Sequence, residues 1–352
     1  MLIIRPCQPN DLHDLMHISA VVGRGMTSMP ADKAAWESKI TASQKAFAGE
    51  ADTSSSTYFM VLEDNETGQV VGTTAIYTGI GLSQPFYSYK VSTLVSSSQQ
   101  LDMIRQAKVL SMVNDYTGAT EIGSLFLLPE YRKPGVGQFL SRARFLLMAD
   151  FPHLFADTIM AELRGWQDEA GNSPLWQHLG HKFFAMEFQE AVRTAALEGS
   201  QFISDMMPKY PIYIDLLPEA AREVIGKPHD SSAPALNMLK KEGFQFTGYV
   251  DLFDGGPSVQ IARDEIHTVQ QSRTADITTD QTTETTGLQQ DYIISNGKLA
   301  NYRLALAPAS VDAKGQLHID TAQLDALQLS EHAQIRYVEA RKARPVSNAK
   351  VA

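Results

Sequence analysis

The chain has 352 residues, 43% hydrophobic and 20% charged, the balance of a globular protein with room for two or three domains or subdomains. Its formal net charge of −10 argues against a nucleic-acid partner or an anionic membrane surface, and no stretch approaches the ~20 apolar residues that span a bilayer. A single cysteine, Cys7, excludes an internal disulfide and a cysteine-rich metal site, and the start MLIIRPCQPNDL lacks the basic region and long apolar run of a secretory signal, so a cytoplasmic protein is expected.

In chain order, residues 2–5 predict a first strand. Pro9, Asn10 and Asp11 then cap a helix whose Leu12, Leu15, Met16 and Ile18 recur at helical spacing. Residues 23–30 read as a loop and 31–48 as a second helix. Strands over 58–64 and 69–79 flank the turn Asn65-Glu66-Thr67-Gly68, and the Tyr-, Ser- and Pro-rich segment 81–90 is expected to cover a site. Residues 121–148 read as a strand, a Gly-rich turn and an amphipathic helix. A strand over 158–163, a short helix over 173–180 and a strand over 182–188 follow. A second helix-then-Gly-Phe segment, 233–244, precedes another strand. Residues 272–290 are Thr-rich and too poor in apolar side chains to fold alone, which predicts a linker or mobile loop. Residues 291–342 read as a small, mostly β appendage, and 343–352 as a frayed tail.

The stretch 121–148, EIGSLFLLPEYRKPGVGQFLSRARFLLM, carries the most chemistry. An apolar strand turns through Arg132, Lys133, Pro134, Gly135, Val136 and Gly137 straight into a helix. Glycines let backbone approach phosphate oxygens, the first helical amides point at them with the positive end of the helix dipole behind, and Arg132 adds a charge. The spacing R-x-x-G-x-G is neither the nucleotide-kinase loop nor the dinucleotide fingerprint. It resembles the coenzyme A loop of the GCN5-related N-acyltransferases. That resemblance implies an α+β fold, a mixed sheet flanked by helices. It also implies that Leu125, Phe126 and Leu127 line the pantetheine, and that Arg132, Lys133, Gly135, Val136 and Gly137 take the pyrophosphate. On this reading residues 1–190 form the acyl-coenzyme A core, and 191–271 a second, degenerate acyltransferase-like half that completes the active site.

Further stretches narrow the resemblance: GRGMTSMPAD (23–32), NDYTGATEIGSLFLLPEYRKPGVG (114–137), AELRG (161–165), SPLWQHLGHKFF (173–184), MMPKYPIY (206–213), VIGKPHDSSAPALNMLKKEGF (224–244) and YVDLFDGGP (249–257). Together they resemble the arginine N-succinyltransferases, of the alpha-subunit type. The resemblance implies transfer of succinyl from succinyl-coenzyme A to the α-amine of L-arginine, the first step of an arginine-degrading route. It implies no metal and no permanently bound cofactor, and a homo-oligomer or a heteromer with a paralogous subunit. Other amines, such as ornithine, a polyamine or a protein lysine, are alternative acceptors, and a non-catalytic coenzyme A-binding subunit is the alternative of a different class.

The chemistry needs a proton for the departing thiolate, and a histidine is well matched to that task near neutral pH. His229, in Gly226-Lys227-Pro228-His229 before the helix 234–242, carries over as the family's proton donor. The pair His13 and His17 has zinc-binding spacing on one helix but lacks a third ligand, so a solvated face is expected. A guanidinium calls for a carboxylate, and Asp115, Glu121 and Glu162 lie nearest the coenzyme segment. Arg24, Ser28 and Lys209, in family-like loops, are candidates to hold the substrate or succinyl carboxylate.

Overall fold

The computed structural model describes residues 1–22, 26, 28–207, 209–279 and 289–340. Its strands are β1 (Leu2–Pro6), β2 (Thr57–Asp64), β3 (Gln69–Tyr77), β4 (Ser88–Ser98), β5 (Met103–Val113), β6 (Thr120–Leu127), β7 (Thr158–Glu162), β8 (Ile212–Tyr213), β9 (Gln245–Asp251), β10 (Pro257–Ala262), β11 (Arg273–Thr278), β12 (Gln290–Ser295), β13 (Leu304–Val311), β14 (Leu317–His318) and β15 (Gln334–Glu339). They join in one 15-stranded sheet, in the order β12-β15-β11-β14-β13-β1-β2-β3-β6-β7-β10-β9-β4-β5-β8. The helices are α1 (Leu12–Val22), α2 (Lys33–Phe47), α3 (Val136–Asp150), α4 (His181–Phe184), α5 (Phe188–Glu198), α6 (Gln201–Met206), α7 (Glu219–Glu223), α8 (Ala233–Lys241), α9 (His267–Gln271) and α10 (Thr321–Ala326). Among the described residues no helix is long and apolar enough to cross a membrane.

Local chemistry explains the first elements. Arg5 on β1 holds both oxygens of Asp11 at 2.8 Å, and Asp11 also accepts from the Gln8 amide, so the Pro9–Asp11 turn is pinned to the sheet as α1 begins. Asp32 caps α2 by accepting from the Ala35 amide at 2.8 Å. Behind these caps, Trp36 of α2 meets Phe59 edge-on at 5.2 Å, and Phe47 meets Tyr58 in the same way. Strands β2 and β3 are buried on both faces, which is why their sequences read as nearly continuous apolar runs. His13 and His17 face solvent, as their spacing on an otherwise apolar helix suggested.

Four expectations need correction. Helix α3 is not amphipathic in place: every residue from 139 to 148 is buried, because β12, β15 and α9 pack on the side away from the core sheet. Arg142 and Arg144, which mimic a polar face in the sequence, are inside. Arg142 donates to Thr268 Oγ1 and to the Glu339 carbonyl, both at 2.8 Å, and Asp150 at the end of α3 accepts from Ser295, Tyr302 and Arg336. The expected strand at 182–188 does not form: 182–184 end α4, 185–187 are an irregular link and Phe188 opens α5, with Phe184 and Phe253 both stacked against Trp176 at 5.5 and 5.4 Å. The domain boundary drawn at residue 190 therefore falls inside α5. Residues 273–278, assigned to the linker, form β11, with Ala275 buried opposite Ile335 of β15 and Ile277 buried opposite Leu317 of β14; residues 280–288 of that linker, and the tail 343–352, lie outside the described residues. Finally, the β-rich C-terminal part is an extension of the main sheet through β13 on β1, with Ile3 opposite Ala305.

Candidate active site

The sheet divides at β6 and β7. These parallel neighbours pair only at Thr120 with Ile159 and Glu121 with Met160. Further along, β6 stays with β3 while β7 stays with β10, where Ser258 faces Glu162. A wedge therefore opens between the C-terminal ends of the two parallel strands. A bulge accentuates it: Ser124 has φ 50°, and the β3–β6 register slips between Thr73 and Ala75. Hydrogen bonds hold the bulge, with Thr73 Oγ1 donating to the Ser124 carbonyl at 2.8 Å and the hydroxyls of Tyr77, Ser124 and Ser28 in a chain at 2.6 and 2.9 Å.

Leu125 and Phe126 are half-buried on the wedge strand, while Leu127 is buried. The chain then turns through Pro129–Tyr131 and enters α3 at Gly135, whose φ of 90° only glycine adopts without strain. Phe139 makes the first full helical bond, to Gly135 at 2.9 Å, so the Gly137 and Gln138 amides precede the helical ladder and are oriented outward. A Cβ built at Gly135 or Gly137 would meet no protein atom within 4 Å. Neither glycine is needed for packing, and the space they leave open lies in front of these amides. Arg132 is exposed at the mouth, its Nε donating to the Leu127 carbonyl at 3.1 Å.

Beside the end of β7 the chain crosses itself three times. The His229 amide bonds the Arg164 carbonyl at 2.8 Å, the Trp166 amide bonds the Lys227 carbonyl, and Gly165 bridges Pro228. Asp254 ties the crossing, accepting from the amides of Gly165 (2.8 Å) and Gly256 (2.9 Å). A side chain at Gly165 would lie 2.4 Å from Asp254 Oδ1, which is why AELRG ends in glycine. The half-buried His229 ring accepts from the Ser231 amide through Nδ1 at 3.1 Å, with Ser231 Oγ at 2.7 Å. That bond leaves the ring proton on Nε2. Burial and then the nearby Arg164 charge hold its pKa below the ordinary histidine value, against the opposing pull of Asp230 and Asp254. His229 is therefore neutral near pH 7, with Nε2–H available.

One face of the sheet around this point is acidic. Glu121 is half-buried on β6, Glu162 lies one pleat further along on β7, and Asp251 closes β9. Among the described residues none of the three enters an ion pair. Burial pushes Glu121 up to about 7, with Lys39 opposing, and burial together with Asp254 pushes Asp251 up to about 8. Glu162 is raised by burial and by Asp251, Glu121 and Asp254. Among the described residues no group of three or more His, Cys, Asp or Glu side chains is arranged to hold a metal ion.

A family model described as the arginine N-succinyltransferase beta subunit matches residues 2–268, and one described as that subunit's C-terminal domain matches residues 273–339. The chain belongs to the arginine N-succinyltransferase family. Arginine N-succinyltransferase subunit beta of Pseudomonas aeruginosa is 40% identical over 337 residues, covering 96% of this chain and 98% of that one. Arginine N-succinyltransferase of Citrobacter koseri is 39% identical over 338 residues, covering 96% and 97%. The solved structure of arginine/ornithine succinyltransferase subunit AI from Pseudomonas aeruginosa superposes with a TM-score of 0.87 at 32% identity, over 97% of this chain and 99% of that one.

Within this arginine N-succinyltransferase fold the structure brings some of the residues singled out from sequence together and leaves others apart. Leu125, Phe126, Leu127, Arg132, Lys133, Gly135, Val136 and Gly137 lie together along the wedge strand, its loop and the start of α3. Glu121 and Glu162 share the acidic face, and Ser28 reaches the bulge through Ser124. Asp115 is exposed and accepts from Tyr249 at 2.8 Å. Lys209 is exposed beside β8, five strands from β7, roughly 24 Å along the sheet, so the structure does not bring it to the others. Arg24 lies outside the described residues. Sequence reasoning missed Arg164, Asp251 and Asp254. The stretches holding them were visible, but only cross-strand register shows that they converge.

The raised carboxyls predict how stability depends on pH. The unfolded chain releases these protons near the ordinary values of 4.5 and 3.8, whereas the folded protein keeps them to about 7 and about 8. The folded state thus binds more protons across that window, and stability falls as pH rises through it. Scanning fluorimetry from about pH 5.5 to about pH 8.5 should show a declining Tm, and Glu121→Gln should flatten the lower part of the decline. A flat wild-type profile would show that these carboxyls are ionised throughout.

Proposed function

We propose that this chain transfers the succinyl group of succinyl-coenzyme A to the α-amine of L-arginine, giving N2-succinylarginine and free coenzyme A. The observation that carries the reading is the family match over almost the whole chain, and the open wedge and the unobstructed glycine turn support it. The wedge between two parallel strands, with an anion-binding turn at its end, favours the GCN5-related acyltransferase arrangement for the central sheet. On it, Leu125, Phe126 and Leu127 hold the pantetheine arm. The loop from Arg132 to Gly137 holds the pyrophosphate, and a backbone amide near the Ser124 bulge faces the oxyanion.

Proton traffic follows from the state of His229. A neutral ring accepts a proton from the attacking nitrogen, and as imidazolium it delivers that proton to the departing thiolate. No covalent enzyme intermediate is needed, so the buried Cys7, whose thiol burial pushes up to about 12, has no part in it.

Ornithine is the second acceptor we propose, because the Pseudomonas aeruginosa relative of known structure is an arginine/ornithine succinyltransferase subunit. The finer features are proposals of the same standing: the alpha-subunit type, a homo-oligomer or a pairing with a paralogous subunit, a cytoplasmic place in arginine breakdown, and the substrate contacts of Arg24, Ser28 and Asp115. The relatives include one described as subunit beta, at 40% identity, and one described as subunit AI, at 32%. The direct test follows thiol release from succinyl-coenzyme A with L-arginine, with L-ornithine and with neither. Arginine-dependent release is expected, and a preference for acetyl-coenzyme A as donor would overturn the reading.

A further inference from the structure

The acidic face holds buried hydroxyls that the fold leaves without partners. Direct cross-strand pairs put Glu162 beside Ser258, Ser258 beside Tyr249, and Asp251 beside Ser88, so these side chains share one side of β7, β10, β9 and β4. Glu121 joins them through its pairing with Met160, one pleat from Glu162. Tyr116 lies over this face, its ring 4.8 Å from that of Tyr249 and its hydroxyl close enough to Glu162 to feel its charge. Tyr116 is 3% exposed and Ser88 2%, yet neither hydroxyl closes a hydrogen bond, although Thr247 approaches that of Tyr116. Buried polar groups are ordinarily satisfied, and an unpaired one costs about 1–3 kcal/mol. Two orphan hydroxyls beside crowded carboxylates call for a ligand that is cationic and rich in N–H donors.

We propose that Glu162 and Asp251, flanked by Tyr116 and Ser88, seat the guanidinium of the acceptor substrate, which rests on the reading of L-arginine as acceptor. A planar guanidinium offers five donors to two carboxylates and two hydroxyls, and its charge relieves their mutual repulsion. The reach fits. Glu162 is two residues, ~6.6 Å of strand, from Arg164, whose carbonyl anchors His229. The five bonds from the α-carbon to the guanidinium carbon of an extended arginine span roughly 6 Å. The other charges facing the pocket do not fill this role. Lys39 faces Glu121 and donates to the Ser28 carbonyl, Arg164 faces Asp254 and His229, and Lys90 lies 3.6 Å over the Tyr249 ring. Asp115 accepts from Tyr249, and Asp254 accepts from backbone amides through both oxygens, whereas Asp251 commits Oδ1 alone, to the Phe253 and Asp254 amides at 2.7 and 2.8 Å.

The test compares L-arginine with L-citrulline, its neutral ureido isostere, in the intact enzyme and in the variants Glu162→Gln and Tyr116→Phe. The intact enzyme should favour arginine by at least ~10²-fold in kcat/KM, because citrulline leaves the carboxylates without a cation. Glu162→Gln should narrow that ratio about tenfold or more, through the KM for arginine, with the KM for succinyl-coenzyme A unchanged. It should not lower the Tm of the ligand-free protein, since it removes a crowded carboxyl. Tyr116→Phe, which keeps the ring packing, should raise the arginine KM severalfold and serves if Glu162→Gln does not fold. An arginine-to-citrulline ratio unchanged in the folded variants overturns the pocket and leaves the succinyltransfer reading standing. Absence of arginine-dependent thiol release in the intact enzyme overturns both.

Discussion

Replacing His229 with alanine is expected to lower kcat by ~10²–10⁴-fold, the usual contribution of a positioned acid–base group. The KM for succinyl-coenzyme A should barely move, because the proposed pyrophosphate contacts lie in a separate loop, 132–137, that follows β6. The structure adds a pH signature. Nδ1 is committed to the Ser231 amide, and burial beside Arg164 depresses the ring's pKa below 6.5. A ring that must be neutral to take the amine proton makes kcat at saturating substrate fall on the acid side, below the usual histidine range. That limb should vanish in His229→Ala. The arginine KM is a separate readout, since it follows the raised carboxyls at higher pH. A variant that keeps kcat within about threefold and the same acid limb would make His229 a structural residue of the 227–232 turn.

The second large effect is expected at Gly137. Its backbone is helical and a Cβ added there meets no protein atom within 4 Å, so Gly137→Trp is expected to keep the fold, checked by circular dichroism. The added ring instead fills the space in front of the first helical amides. Loss of one charge-assisted hydrogen bond, about 1.5–3 kcal/mol, corresponds to a KM for succinyl-coenzyme A raised about 10–100-fold. The arginine KM should change far less. Gly135 is the poorer choice for this test, because its φ of 90° strains any side chain whatever the ligand does. Unchanged coenzyme affinity in Gly137→Trp would remove the loop from the site.

Some of the molecule was legible because its cause is local. The capped start of α1, the helix α2, the apolar runs of β2, β3 and β6, and the glycine turn into α3 depend on neighbours within a few residues. Propensity, periodicity and turn chemistry act over that range. The proposed coenzyme loop is the clearest case, since loop geometry, helix polarity and charge all sit in one continuous stretch. His229 stands out differently, through the likeness of its surrounding motif, and its tautomer and depressed pKa could not be read that way. Both depend on Ser231 and Arg164, the latter 65 positions upstream.

Where long-range packing outweighed local preference, sequence reasoning failed. Helix α3 reads as amphipathic, but its arginines are buried because strands from the far end of the chain cover it. Segment 182–188 has strand-like aromatics, but Phe184 stacks on Trp176, itself stacked on Phe253, at the end of α4. Residues 273–278 look too polar to order alone, and do so only as β11, paired with β15. By itself, then, the sequence determined the family, and it singled out the glycine loop and the histidine proposed as acid–base group, each written in contiguous residues. Only the tertiary structure decided that the sheet splits between β6 and β7, and that Glu121, Glu162 and Asp251 share a face with the unpartnered hydroxyls of Tyr116 and Ser88. These groups come from β6, β7, β9, β4 and the loop before β6, and a juxtaposition set by cross-strand register leaves no periodic trace in the chain.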